Sequence, residues 1–167
     1  AVAFGCPFEG EVPLANLLAA TEALLDAGPV EIALADTIGV GVPRQVQRTF
    51  EALGEVAGDV PVRAHFHDTR NTGIGNAFAS LLAGVTTLDA SIGGIGGCPF
   101  APNASGNIAT EDLVYMLNRS DVHHDLAMQP LLDGAEWLEA VLGKRLPSML
   151  LKAGDWPAVS AEKRSTT

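Results

Sequence analysis

Short apolar runs alternate with longer stretches in which apolar residues recur every three or four positions, and the alternation repeats four times along the chain. The runs at residues 1–4, 30–35, 62–66 and 87–92 predict strands. Between them, Leu14, Leu17, Leu18, Thr21 and Leu25 share one helical face, as do Val46, Phe50 and Leu53, and then Ile74, Ala77, Phe78, Leu81 and Leu82. Each such face predicts a helix lying on a sheet. Gly28 and Gly84 stand where two helices close, Pro13 and Pro43 where two begin, and Thr110-Glu111-Asp112 reads as a helix start. A last periodic stretch carries Leu131, Leu132, Ala135, Leu138 and Leu142, after which periodicity fades toward a polar EKRSTT end that is expected to fray.

Strands spaced by roughly 25 to 31 residues suit right-handed βαβ crossovers and hence a parallel α/β sheet. Spacing alone leaves two architectures open, a doubly wound sheet and part of a (β/α)8 barrel. In both, functional groups gather at the carboxyl ends of the strands. The chemistry-bearing residues fall at those ends each time: Cys6 and Glu9 after the first run, Asp36 and Thr37 after the second, His65, His67 and Asp68 at the third, and the Cys98 loop after the fourth.

Composition narrows the class without naming it. The chain has 167 residues, 47% hydrophobic and 18% charged, enough for one domain with a substantial core. Twenty acidic against ten basic residues give a net charge of -10, and no lysine precedes Lys144, which argues against a nucleic-acid partner or a polybasic membrane patch. No apolar run reaches the length that spans a bilayer, so a soluble protein is expected. Two cysteines, both in Gly-Cys-Pro-Phe, make no disulfide framework and suit functional loops in a reducing compartment, cytoplasmic or, in a eukaryotic source, the mitochondrial matrix. The chain starts at Ala1 inside an apparent strand, so a start further upstream is expected.

Residues 93–107, GGIGGCPFAPNASGN, place Cys98 nine positions ahead of Asn107, among five glycines and two prolines. Such a loop fits either a mobile element carrying a reactive thiol or a flexible connector. His65 and His67, two apart on a strand, project to one face, where they serve either one metal or a hydrogen-bonded core pair. Asp36, closing a strand before T-I-G-V-G, fits a catalytic hydrogen bond or a loop cap. Glu9 and Asp68 are weaker candidates, Glu111 and Asp112 are explained by the helix dipole, and His123-His124 reads as surface. No Walker loop or dinucleotide fingerprint is present.

The segments GCPFEG, ADTIGVGVP, HFHDT and above all GGIGGCPFAPNASGNIATEDLVYML resemble 3-hydroxy-3-methylglutaryl-CoA lyase, in order, from Ala1 to about Leu142. The resemblance implies the second half of a (β/α)8 TIM barrel over residues 1–142, four parallel strands with their helices plus carboxyl-terminal helices; residues 143–167 lie outside it, as a tail expected from the fading periodicity to be partly disordered. It implies a divalent cation, magnesium or manganese, held by His65, His67 and Asn107 together with an early-strand aspartate that has no counterpart here. Cys98, Asp36 and His65 take catalytic roles by the same resemblance, while Arg70, Gly96 and Gly97 belong to substrate binding, Arg70 at a place where family members vary. The implied reaction splits a branched 3-hydroxyacyl-CoA into acetyl-CoA and acetoacetate, in a homo-oligomer when full length. Two other readings stand beside it: a synthase of the isopropylmalate or homocitrate type or an aldolase, and an inactive half-barrel or assembly module whose open edges invite pairing.

Overall fold

The computed structural model describes residues 1–97 and 105–156. Three strands, β1 (Ile32–Asp36), β2 (Val62–Phe66) and β3 (Thr87–Asp89), form a parallel sheet in the order β1-β2-β3. The helix α1 (Leu14–Leu25) precedes β1, α2 (Pro43–Ala57) joins β1 to β2, and α3 (Gly73–Leu82) joins β2 to β3. After β3 the chain makes a short 3-10 turn at Ile92–Gly94, then α4 (Thr110–Arg119), α5 (Met128–Leu142) and α6 (Leu150–Ala153).

The architecture follows from side-chain alternation. Along β1, Ile32, Leu34 and Asp36 are buried while Ala33 and Ala35 are not; along β2, Ala64 and Phe66 are buried and Arg63 and His65 partly exposed. The apolar face receives α2, whose Val46, Phe50, Leu53 and Ala57 form one buried stripe. Pro43, with no amide hydrogen to lose, starts that helix, and Gly58 at φ 59° ends it. Phe4, Phe50 and Phe66 meet at the centre with ring centroids 6.1 to 6.3 Å apart. Truncating such a buried ring to alanine costs about 3–5 kcal/mol, so this trio is a main anchor of the helix-sheet interface.

Two expectations are corrected. The strand predicted at residues 1–4 is reduced to an isolated bridge between Val2 and Asp36, with one backbone bond from Ala3 N to Ala35 O at 3.1 Å, because the chain turns away at once. The face assigned to α3 holds only in part: Ala77 is buried and Ile74 and Leu81 pack against the core, but Phe78 and Leu82 are exposed and Gly73, Asn76, Ala79 and Ser80 are buried instead. Small residues let α3 approach β2 closely, and the buried Asn76 donates from Nδ2 to Gly41 O at 2.9 Å. The EKRSTT end lies outside the described residues, but up to residue 156 the chain after Leu142 still packs. Gly143 (φ 63°) turns the chain back, Leu146 and Leu150 are buried, and Asp112 accepts from Ser148 Oγ (2.9 Å), Met149 N (2.9 Å) and Leu150 N (2.8 Å).

Candidate functional site

The carboxyl ends of the three strands bring together the segments that matter. His65 lies beside Asp89 in the β2-β3 register and beside Ala35 in the β1-β2 register. His67, one residue past β2, continues the same alternation, and its ring centroid is 5.3 Å from that of His65. The chain returning from the glycine-rich loop lays Asn107 against His67 in an isolated antiparallel bridge. Asp68 N donates to Gly106 O (3.0 Å) and Ile108 N to Phe66 O (3.2 Å), which seats that return on the end of β2.

Two buried polar atoms stand out on these paired residues. His67 is 4% exposed, and its Nδ1 meets no hydrogen-bond partner among the described residues. Asn107 donates from Nδ2 to Ile95 O at 2.9 Å, which orients the amide and leaves a buried Oδ1 that no donor among the described residues reaches. Each unmet buried group costs about 1–3 kcal/mol, so a ring nitrogen and an amide oxygen on adjoining residues each lack a partner that the folded state favours. An imidazole nitrogen and a carbonyl oxygen together suit a borderline or hard divalent cation. Burial holds the His67 pKa below its ordinary value of 6.5, the neighbouring His65 lowers it further, and Asp36 partly opposes them. Near neutrality the ring is therefore uncharged, as a metal ligand must be. No trio of His, Cys, Asp or Glu side chains suited to a metal exists among the described residues.

The HMGL-like family profile matches residues 1–137. This chain belongs to the HMGL-like family. It is 45% identical over 149 residues to the hydroxymethylglutaryl-CoA lyase YngG of Bacillus subtilis, covering 89% of this chain and 50% of that protein. It is 47% identical over 152 residues to the (R)-citramalyl-CoA lyase of Chloroflexus aurantiacus, covering 91% and 48%. The structure superposes with a TM-score of 0.90 and 39% identity on an HMG-CoA lyase of Acinetobacter baumannii in complex with coenzyme A and 3-methylmalate, covering 95% of this chain and 52% of that one. The HMGL-like chain thus spans about half the length of the curated relatives it matches.

The remaining candidates of this HMGL-like chain fall into place unevenly. Asp36 is 1% exposed and accepts from Val40 N (3.0 Å) and Gly41 N (2.8 Å), so both carboxylate oxygens clip the turn after β1. Exposed Arg70 donates from Nη1 to Ile38 O (2.8 Å) and Gly39 O (3.0 Å), which ties the loop after β2 to the loop after β1. Gly96 and Gly97 are exposed; Gly96 has φ 119°, and a Cβ there would lie 2.4 Å from Asn107 Nδ2, so only glycine lets the amide into place. Cys98 lies outside the described residues. Cys6 and Glu9 belong to a small turn closed between Cys6 and Gly10, with Glu9 exposed. Asp68 accepts from Gly73 N (2.8 Å) at the start of α3, and burial, more than the charge of Asp112, raises its pKa.

Two acidic residues were undervalued by sequence reasoning. Glu111 is fully buried and accepts from Gly93 N with both oxygens (2.9 and 3.1 Å), pinning the beginning of the glycine-rich loop to α4, a task beyond the helix dipole. Asp89 closes β3 and faces His65, with Nδ1 3.3 Å from Oδ2. Asp89 lies inside the run 87–92 read as a strand, so the rule that drew attention to Asp36, a carboxylate at the end of a strand, passed over it. A cavity of about 870 Å³ between α3, α4 and α6 touches this region at Asp68 alone and is lined by neither histidine. No helix among the described residues is long and apolar enough to cross a membrane.

Proposed function

We propose that this chain is the second half of a (β/α)8 barrel and that the intact protein is a divalent-metal-dependent carbon-carbon lyase. Its substrate is 3-hydroxy-3-methylglutaryl-CoA or a close 3-hydroxyacyl-CoA, and its products are acetyl-CoA and acetoacetate or the corresponding keto acid. The observation that carries the reading is the pair of buried, unmet atoms, His67 Nδ1 and Asn107 Oδ1, in a chain of the HMGL-like family. The open polar face of the sheet, with Arg63, His65 and Asp89 partly exposed, suits a barrel interior completed by further strands.

His65, His67 and Asn107 would hold magnesium or manganese. When bound, the ion polarises the substrate's hydroxyl and carbonyl oxygens as a Lewis acid. The chain's own residues frame the rest. The hydroxyl proton leaves to solvent water at the open face beside His65, whose two nitrogens would face the ion and Asp89; the oxygen becomes the ketone of one product as the carbon-carbon bond breaks, and the electron pair passes into the thioester as an enolate. The Cys98 thiol returns a proton to that enolate carbon. Asp36, clipped to the turn, acts by holding the first loop. Arg70, Gly96 and Gly97 shape the mouth through which the acyl group enters.

The test is an assay of the intact protein with magnesium or manganese. Release of acetoacetate and acetyl-CoA from 3-hydroxy-3-methylglutaryl-CoA is expected, and no cleavage of it or of citramalyl-CoA would contradict the proposal. Citramalyl-CoA belongs in the assay because a relative named for that substrate is 47% identical. Acetyl-CoA consumption driven by an added 2-oxo acid would instead indicate a synthase.

A further inference from the structure

We propose that Asp89 is a positioning residue for His65, fixing the ring's tautomer and orientation so that Nε2 is the nitrogen presented to the open face. The inference rests on the reading of His65 as a ligand, and it concerns a residue to which that reading gave no task.

The argument starts from the ladder. His65 pairs with Asp89 and Arg63 with Thr87, so Arg63, His65 and Asp89 share the face turned away from the helices. Arg63 is held on one side by Glu31, at 2.8 Å from both Nε and Nη2 to Oε2, and donates from Nη1 to Asp89 Oδ1 at 3.0 Å. That bond commits one oxygen of Asp89 and turns the other, Oδ2, toward His65 Nδ1 at 3.3 Å. An ionised carboxylate accepts and cannot donate, so Nδ1 must carry the proton and Nε2 keeps its lone pair. A carboxylate behind a metal-binding imidazole both orients the ring and makes it a better donor to the metal. Glu31, Arg63, Asp89 and His65 therefore form one chain of contacts ending at the candidate site.

Arg63 makes the inference sharp. In Asp89→Asn, a nearly isosteric change, the guanidinium still demands an acceptor, so the amide oxygen stays on Arg63 and the amide N–H group faces His65 Nδ1. The ring must then accept at Nδ1 and carry its proton on Nε2.

The experiment uses the intact protein with 15N-labelled histidine. Long-range 15N-1H spectra of the metal-free protein are expected to show neutral His65 with the proton on Nδ1, and to show it on Nε2 in Asp89→Asn. Manganese binding, titrated with the ion alone, is expected to weaken about 10- to 100-fold in that variant. A wild-type His65 protonated on Nε2, or a tautomer unchanged by Asp89→Asn, overturns the proposal; the wild-type spectrum decides even if the variant fails to fold. His65→Ala separates the two claims: manganese affinity equal to wild type removes His65 as a ligand, while the tautomer still judges Asp89.

Discussion

His67 and Asn107 meet in a single antiparallel bridge, and each contributes a buried polar atom that no group among the described residues satisfies. A cation received by both would stabilise the folded state by mass action, by about 2.7 kcal/mol when free ion stands at one hundred times its dissociation constant. Thermal unfolding of the intact protein in chelator and in manganese is expected to show that gain. Asn107→Ala should abolish most of it; an undiminished shift in the variant would remove Asn107 from the ligand set.

Gly96 makes room for Asn107. Alanine at Gly96 would place Cβ 2.4 Å from Asn107 Nδ2 at a φ of 119°, whereas a Cβ on Gly97 would meet no atom of the described residues within 4 Å. Gly96→Ala is expected to cost about 1–3 kcal/mol in strain and to weaken manganese binding by displacing the amide. Gly97→Ala should stay within about 0.5 kcal/mol of wild type. Denaturant unfolding of both variants checks the contrast.

The segment after α5 depends on Asp112, which accepts three hydrogen bonds from Ser148, Met149 and Leu150. Asp112→Ala should destabilise the protein by about 1–3 kcal/mol. It should also speed hydrogen exchange at the Met149 and Leu150 amides while leaving the β2 amides protected. Uniform loosening across the sheet would contradict so local a role.

His67 sets a pH dependence. Its folded-state pKa lies below the ordinary 6.5, so as pH falls below that value the unfolded chain takes up the proton first and stability declines. Asp68, raised from 3.8, has the opposite sign: its folded form keeps a proton that the unfolded chain loses, so its contribution falls as pH rises above 3.8. In metal-free intact protein, His67→Asn should flatten the loss of stability just below pH 6.5. Equal slopes in the two proteins would show that burial does not perturb His67.

Much of this was legible in the pattern of residues. Strands β1, β2 and β3 follow apolar runs, and α2 follows a stripe broad enough to bury Val46, Phe50 and Leu53 together. The same logic held only in part for α3, where Ile74, Ala77 and Leu81 meet the core but close packing selects Gly73 and Ser80 over the bulkier Phe78 and Leu82, and hydrophobicity does not report closeness. It failed for residues 1–4 because an apolar run needs a paired ladder, and only one backbone bond to β1 forms. His65, His67 and Asn107 were named from spacing and resemblance, and the fold sets Asn107 against His67 and His67 beside His65. Asp89 was not named, since a lone aspartate inside the run 87–92 gains meaning only when the register sets it beside His65 and Arg63.

The most direct measurement is electron-nuclear double resonance on manganese bound to the intact protein with 15N-labelled histidine. The account predicts couplings from two imidazole nitrogens, one lost in His65→Ala and the other in His67→Ala. Manganese bound with no histidine nitrogen in its coordination sphere would contradict it.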